Sequence, residues 1–205
     1  MGITPKPRNE GRGRPRSFDA EKALDRALTV FWRKGYEGAS LSELTKAMRI
    51  NRPSLYAAFG AKGALFRKVI ERYERGPTAF VREALAEPTA RGMAERLLLG
   101  TAASVCGGSG HPGGCMLVQG ALAAGDSAEP VKQELAAHRQ ATLEAITDRL
   151  RRAKKEGDLA EDADPAALAR YLMTVMNGMA VQSVSGATPA DLRKVAETAL
   201  RMWPE

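Results

Sequence analysis

Cys106, His111 and Cys115 are the strongest candidates in this sequence for a reactive or metal-binding site. They form a Cys-x4-His-x3-Cys pattern, whereas structural zinc sites use four ligands at closer spacings, and no fourth ligand is evident in the sequence. A cysteine more often packs as a small apolar residue. Two alternatives stay open: a regulator that responds to oxidation or metal through Cys106 and Cys115, and a thiol- or metal-dependent enzyme that uses Cys115 and His111.

The sequence contains no other arrangement typical of catalysis. No nucleophile–base–acid pattern, Walker loop or dinucleotide-binding fingerprint is present. The glycine-rich segment 107–110 lacks the preceding strand and the following Lys-Ser/Thr pair that a phosphate-binding loop requires. We therefore expect a protein that is not an enzyme and that needs no cofactor.

The basic residues are concentrated in the first third of the chain. Residues 1–75 contain 17 Lys and Arg against 8 Asp and Glu, a net charge of +9, whereas residues 76–205 carry −2. This asymmetry is typical of a polyanion-binding segment joined to a nearly neutral body. The two cysteines are too few for a secreted disulfide framework, and we find no signal peptide or membrane-length apolar run. We expect a cytoplasmic protein that does not bind a membrane.

We expect most of these basic residues to lie on helices. Ala, Leu, Glu and Arg are abundant, and aromatic residues make up only 5% of the chain, which favours an all-α fold. Asp19, Ser40 and Asn51 are good N-caps for three successive helices, and a fourth begins near Lys62. Short helices with a tight turn before Asn51 predict a helix-turn-helix.

The rest of the chain predicts a larger helical body. Thr89 is a good N-cap, and Pro130, Pro165 and Pro189 each stand where a first helical turn tolerates proline, so the chain should hold about nine helices. The expected segments are a flexible basic arm (1–16), a three-helix helix-turn-helix DNA-binding domain (17–62) and a C-terminal helical body (63–205).

One stretch carries a family resemblance. Residues 40–62, SLSELTKAMRINRPSLYAAFGAK, resemble the DNA-binding head of the tetracycline-repressor (TetR) family of bacterial transcription regulators. The preceding FWRKGYEG at 31–38 is similar to the end of that family's first helix, and HPGGCMLVQGAL at 111–122 resembles a segment of some members. The resemblance implies a homodimeric, ligand-responsive repressor that binds a palindromic double-stranded DNA operator.

Three positions depart from the family pattern. Arg49 stands where glycine is common, Ala58 where a histidine is frequent and Gly63 where an acidic residue is usual. If the turn at Arg49 needs a positive φ, arginine costs about 1 kcal/mol there. None of the three disturbs the hydrophobic positions, so the expected fold is unchanged.

The third helix is the expected reading helix, because the N-terminal residues of that helix enter the major groove first. These residues are Asn51, Arg52, Pro53 and Ser54. Arg52 is long enough to donate two hydrogen bonds to guanine O6 and N7. Asn51 can cap the helix, contact DNA, or do both.

Other DNA contacts are expected at phosphates and in the minor groove. The resemblance implies that the Tyr56 hydroxyl, Ser40 and Lys62 contact phosphates, and helix N-termini favour anions on physical grounds as well. Lys46 is a further candidate. The segment from Arg12 to Pro15 resembles the core of an AT-hook, so Arg12 and Arg14 either enter a narrow minor groove or form a basic tail that adds only salt-sensitive affinity.

The resemblance gives the body two functions, effector binding and dimerisation. An unknown small molecule would shift the population of conformers and weaken operator binding. The candidate effector-pocket residues are Thr101, Met116, Gln119, His138, Met173 and Asn177.

The last two helices have apolar faces broad enough for two copies to form a four-helix bundle. The expected dimer interface consists of Leu168, Leu172, Val175, Met179, Leu192, Val195 and Ala199.

Overall fold

A computed structural model of the chain describes residues 18–108, 111–122 and 129–204. Over these ranges it contains ten α-helices and no strand, which confirms the all-α fold class. The helices are α1 (Ala20–Gly38), α2 (Leu41–Met48), α3 (Arg52–Phe59), α4 (Lys62–Arg75), α5 (Ala79–Leu85), α6 (Ala90–Ser104), α7 (Met116–Leu122), α8 (Glu129–Lys155), α9 (Pro165–Val184) and α10 (Pro189–Arg201). No helix in the described part of the chain is long and apolar enough to cross a membrane.

The first three helices begin where their capping residues predict. The side chains of Asp19, Ser40 and Asn51 each accept a backbone N–H from the first turn of α1, α2 and α3. A kink interrupts α1 at Gly35, whose φ of +69° lies in the left-handed region that favours glycine. Arg49, in the turn between α2 and α3, adopts φ 58° and ψ 42°, the positive φ for which the family pattern uses glycine.

The body begins with α5, which the sequence did not predict as a helix separate from α4. Gly76 closes the C-terminus of α4, because its backbone N–H donates to the carbonyls of Arg72 and Tyr73, and the chain restarts as the short α5 after Pro77. This restart brings the count to ten helices rather than about nine. Further along, α6 packs against α5, α9 and α10, α8 packs along α9, and α7 lies between α1 and α8.

Two clusters of buried side chains hold these helices together. The first contains the inner faces of α1 to α4 together with Met116, Leu117, Val131 and Leu135 from α7 and α8. The second is formed by α6, α8, α9 and α10 with Ala84 of α5. Although the sequence-based division places α4 in the segment 63–205, the buried side chains of α4 pack in the first cluster. The boundaries at 16 and 62 stay a prediction.

Candidate nucleic-acid interface and ligand cavity

The first turn of α3 is presented to solvent. Asn51, Arg52 and Pro53 are exposed and Ser54 is half-buried, whereas Leu55 is fully buried in the first cluster and fixes the rotation of the helix. The Asn51 Oδ1 accepts the Ser54 backbone N–H at 2.8 Å, so Asn51 caps α3. Among the described residues, no ion pair or side-chain hydrogen bond engages the guanidinium of Arg52. Its donors are therefore available to an external acceptor.

Tyr56 and Lys46 extend this exposed surface. Tyr56 lies one turn after Arg52 on the same face of α3, and 48% of its surface is exposed. Lys46 is exposed on the neighbouring helix α2. The phenol of Tyr56 therefore points away from the core, where its hydroxyl can reach a phosphate.

Lys62 begins α4 and is held against the end of α1. Its Nζ lies 4.6 Å from the centre of the Tyr36 ring, an arrangement that stabilises the ammonium through the ring's negative face. Burial lowers the pKa of Lys62, and the nearby carboxylate of Glu37 opposes that shift. The ammonium and the N-terminus of α4 place positive charge at one point of the surface.

The N-terminus of α2 carries a hydrogen-bond network that includes a residue the sequence reasoning missed. Ser40 Oγ donates to Glu43 Oε2 at 2.9 Å and accepts the Glu43 backbone N–H at 3.2 Å, while Lys34 Nζ contacts the other carboxylate oxygen of Glu43. Hydrogen bonds from Lys34 and then Ser40 lower the pKa of Glu43 to about 2. The Ser40 hydroxyl is thus already used inside the cap, and Lys34 adds a cation beside it. No local sequence signal pairs Lys34 with Glu43, because the two residues belong to different helices.

An ion pair joins α4 to α1 on the surface of the head, the name used here for helices α1 to α4. Arg72 donates to both carboxylate oxygens of Asp25, from Nε at 2.7 Å and from a terminal nitrogen at 3.1 Å. These hydrogen bonds raise the pKa of Arg72. Exposed pairs contribute up to about 1 kcal/mol, so this ion pair adds modestly to the buried contacts that hold α4 against α1.

A cavity of about 390 Å³ lies in the body among α4, α5, α6, α8 and α9 and the start of α7. Its volume is in the range of pockets that hold small organic molecules, roughly 300–1,000 Å³. Its wall is mainly apolar, with side chains such as Phe80, Val105, Leu117, Met176 and Ala180.

The structure brings some of the expected pocket residues together at this cavity. Thr101, His138, Met173 and Asn177 line it. Met116 is buried in the first cluster instead. The side-chain amide of Gln119 packs against Gly114, and Gln119 does not contribute to the wall.

Two polar contacts in the cavity wall link α4 to other parts of the body. His138 Nδ1 of α8 lies 2.7 Å from Glu74 Oε1 of α4. The Tyr73 hydroxyl, also on α4, donates to Cys115 Sγ at 3.4 Å. Burial raises the pKa of Tyr73 well above its ordinary value, so the phenol remains a neutral donor.

The cysteine pattern does not assemble into a metal site. Cys106 and Cys115 are free thiols that contact different elements: Cys106 Sγ approaches the Ala187 carbonyl at 4.0 Å, and Cys115 faces Tyr73. His111 stacks on Trp32 of α1 with ring centres 5.8 Å apart. Burial, with Asp191 nearby, raises the pKa of Cys106, which disfavours its reactive thiolate. Within the described ranges, no group of three or more His, Cys, Asp or Glu side chains could hold a metal ion.

The expected dimer face is divided between the core and the surface. Leu172, Met179, Leu192 and Ala199 are buried within the protomer, because these positions of α9 and α10 pack in the second cluster. Leu168 and Val175 are half-buried, and Val195 is 44% exposed. The exposed apolar residues that the expected interface left out are Tyr171, Val181, Val184 and Met202.

A groove between α9 and α10 collects part of this exposed face. It is lined by Tyr171, Val175, Lys194, Val195, Thr198 and Ala199. Of the seven expected interface residues, three therefore line a surface groove that a second copy could fill.

Two family models match the chain. The model described as "Bacterial regulatory proteins, tetR family" matches residues 23–69, and "Tetracyclin repressor-like, C-terminal domain" matches residues 95–203. The first match contains α2 and α3 and most of α1 and α4. The second covers most of the body, including the greater part of the cavity wall.

Individual relatives agree with these matches. The HTH-type transcriptional repressor ComR of Escherichia coli K12 is 31% identical over 201 residues, which cover 96% of this chain and 94% of ComR. A solved structure of a cysteine mutant of the TetR family transcriptional regulator CifR, complexed with 26-bp double-strand operator DNA, is 42% identical. It covers 93% of this chain and all of that chain, with a TM-score of 0.87. A TetR transcriptional regulator from Rhodococcus sp. RHA1 is 39% identical, covers 91% of this chain and all of its own, and gives a TM-score of 0.62.

Proposed function

The chain belongs to the TetR family of bacterial transcriptional regulators, and we propose that it is a homodimeric repressor that binds a palindromic operator and leaves it when a small molecule fills the body cavity. It is a DNA-binding regulator rather than an enzyme. The observation that carries the proposal is the exposed first turn of α3, with the Arg52 guanidinium free of partners among the described residues. The similarity to the repressor ComR and to CifR complexed with operator DNA supports it. Bacterial operators lie in the cytoplasm, and we place the protein there.

The proposed DNA-contacting residues divide into a base-reading and a phosphate-binding group. Arg52 reads a guanine in the major groove, with Asn51, Pro53 and Ser54 beside it. The phosphate-binding residues are Ser40, Lys46, Tyr56 and Lys62, with Arg12 and Arg14 of the arm. Ser40 would exchange the bond that its hydroxyl donates to Glu43 for one to a phosphate. The two arginines of the arm lie outside the described residues.

Helix α4 connects the DNA-contacting surface to the cavity. Lys62 begins this helix, and Tyr73 and Glu74 of its last turn form part of the cavity wall. At about 1.5 Å per residue, the helix spans roughly 20 Å. A ligand that displaces Tyr73 or separates Glu74 from His138 would shift α4, change the spacing of the two heads and favour a conformer that binds the operator weakly.

Selection of bound sequences from random DNA tests the class and yields the operator, and two variants then test the reading face. Arg52→Ala should cost about 1–3 kcal/mol per half-site and relax the preference at one base pair, because a bidentate contact to guanine is lost. Tyr56→Phe keeps the ring and deletes only the hydroxyl. It should weaken binding to all sequences alike, by about 0.5–1.5 kcal/mol per contact.

The measurement is the affinity of each variant for the selected operator and for single-base variants at fixed salt. An unchanged base preference in Arg52→Ala would mean that Arg52 contacts phosphate or solvent, and the reading face would have to be reassigned. For the arm, replacing Arg12 and Arg14 should reduce the salt dependence by about 0.9 per lost phosphate contact. Equal affinity without these arginines would make the arm a passive tail.

A thiol-responsive regulator is the second candidate, and the position of Cys115 in the cavity wall favours it. Oxidation of the Cys115 thiol to a sulfenic acid by a peroxide, which is reduced to water or an alcohol, would add an oxygen atom where the Tyr73 hydroxyl now meets Sγ. The bulkier group would disturb α4 directly. Oxidant-dependent release of the operator by the wild type, absent in Cys115→Ser but kept in Cys106→Ser, would favour this candidate. Identical release by all three proteins would exclude a response through either thiol alone.

A further inference from the structure

The cavity wall contains an arginine with unused donors. Arg139 of α8 is half-buried, and one of its terminal nitrogens donates to the Leu117 carbonyl of α7 at 2.6 Å. A guanidinium has five N–H donors in a planar fork, so several remain for another acceptor. The only ionic or hydrogen-bonded partner of this side chain among the described residues is that carbonyl, which carries no charge.

Arg139 lies between two spaces. It lines the apolar cavity and also a second, more polar depression of about 290 Å³ between α8 and α9, and Met173 and Asn177 line both. We call these three residues the neck. The outer depression has the exposed residues Gln140, Arg170 and Thr174 on its rim, so the neck separates a solvent-accessible vestibule from the apolar interior.

The charge balance at the neck is positive. Arg139 and Arg170 line the vestibule, and within the described chain no carboxylate lines it. The one described carboxylate in the cavity wall, Glu74, is engaged by His138 at 2.7 Å. A half-buried cation without a counter-ion is stabilised by an anion that accepts its free donors, and Arg suits a planar carboxylate because both oxygens can be bound at once.

We propose that the effector is an amphipathic organic anion whose carboxylate binds Arg139 and the Asn177 amide at the neck, while its apolar body fills the cavity. This inference rests on the proposed ligand-responsive function and names the chemical class of the ligand. Arg170 at the rim attracts the anion without anchoring it. The hydroxyls of Thr101 and Thr142 already donate to helix carbonyls and add no donor to the interior, which therefore suits a hydrocarbon chain or ring.

Calorimetric titration of the DNA-free, full-length protein with octanoate, octanamide and octylamine tests the class. The three compounds share a chain and differ in the charge of the head group, and phenylbutyrate serves as a second acid. Octanoate should bind about tenfold to a hundredfold more tightly than octanamide, the range expected for hydrogen bonds to a charged group. Octylamine should bind more weakly than octanamide.

The variant Arg139→Gln tests whether Arg139 causes the preference for octanoate over octanamide. It should bring the ratio between octanoate and octanamide close to one while the affinity for octanamide changes little, and Arg139→Lys should recover part of the ratio. Arg91→Gln is the matched control, since it removes the same charge from an exposed position of α6 that lines neither space. If Arg139→Gln fails to fold because the bond to Leu117 is lost, the inference is tested by the ratio of octanoate to octanamide affinity in the wild type and in Arg139→Lys.

Several outcomes would overturn the inference. The first is that octanamide or octylamine binds as tightly as octanoate. The second is that the preference for the acid survives in Arg139→Gln. The third is that neither acid binds at millimolar concentration. Operator binding by the ligand-free protein is measured separately by gel shift. If neutral compounds release the protein from the operator, the proposed repressor function stands and only the proposal of an anionic effector is excluded.

Discussion

Asn51 has two assigned roles that two substitutions can separate. Its Oδ1 accepts the Ser54 backbone N–H at 2.8 Å and so caps α3, while its exposed side chain lies beside the proposed base-reading residue Arg52. Helix α3 has only eight residues and no acidic residue in its first turn, so no other side chain replaces this cap. Asn51→Ala should therefore cost about 1 kcal/mol of unfolding free energy. For a chain of this length that loss lowers the thermal midpoint by about 2–4 °C.

Asn51→Asp keeps the acceptor and places a negative charge at the positive end of the helix. Its unfolding free energy should equal or exceed that of the wild type, by up to about 1 kcal/mol. Its operator affinity should nevertheless fall further than that of Asn51→Ala, because the amide donors are lost and a carboxylate is brought near the phosphates. Stability is measured by urea unfolding, and operator affinity by fluorescence anisotropy at a temperature where all three proteins are folded.

Two results would contradict these roles of Asn51. If Asn51→Asp is destabilised as much as Asn51→Ala, the side-chain acceptor is not what stabilises the start of α3. If Asn51→Asp binds the operator as tightly as the wild type, Asn51 does not lie close to DNA, and the orientation assigned to α3 is wrong.

Three further predictions concern the turn, the dimer and the acid response. Arg49→Gly should exceed Arg49→Ala in unfolding free energy by about 1 kcal/mol in urea titrations, because φ is 58° there; equal stabilities would mean that the turn relaxes. Val175→Asp and Val195→Asp should yield monomers in light scattering, since both residues line the groove between α9 and α10; a dimer that survives both changes has its interface elsewhere. The folded pKa of Glu43, about 2, lies below its ordinary value of 4.5, so its stabilising effect is full above pH 4.5 and is lost as the pH falls towards 2. The difference in thermal midpoint between wild type and Glu43→Gln should shrink over that interval, and a difference independent of pH would contradict the assigned hydrogen bonds.

Features that depend on residues within one turn of each other could be predicted from the sequence. The caps at Asp19, Ser40 and Asn51 and the first-turn prolines of α9 and α10 all stand where they were predicted. Such signals are local: a side chain either can or cannot accept the free N–H groups of the turn that follows it. The family motif of residues 40–62 is also a local signal, since it spans only α2, the turn that follows and α3, up to the start of α4.

Which side of each helix is buried, and against which neighbour, depends on how the helices pack together. The apolar residues of α9 looked like one broad surface in the sequence, yet Leu172 and Met179 pack inside the protomer and Tyr171 and Val184 lie exposed. Periodicity identifies an apolar face but does not say whether the same chain or a second copy covers it, because burial free energy is the same in both cases.

The cavity shows the same limit in its polar residues. The sequence-based pocket candidates included Met116 and Gln119 but not Arg139. The residues within a few positions of these three do not indicate which helix packs against them. The neck exists only where α8 and α9 meet, and the pairing of Lys34 with Glu43 exists only where α1 and α2 meet. These arrangements join residues on different helices, and the packing of whole helices, rather than local sequence, sets the distances between them.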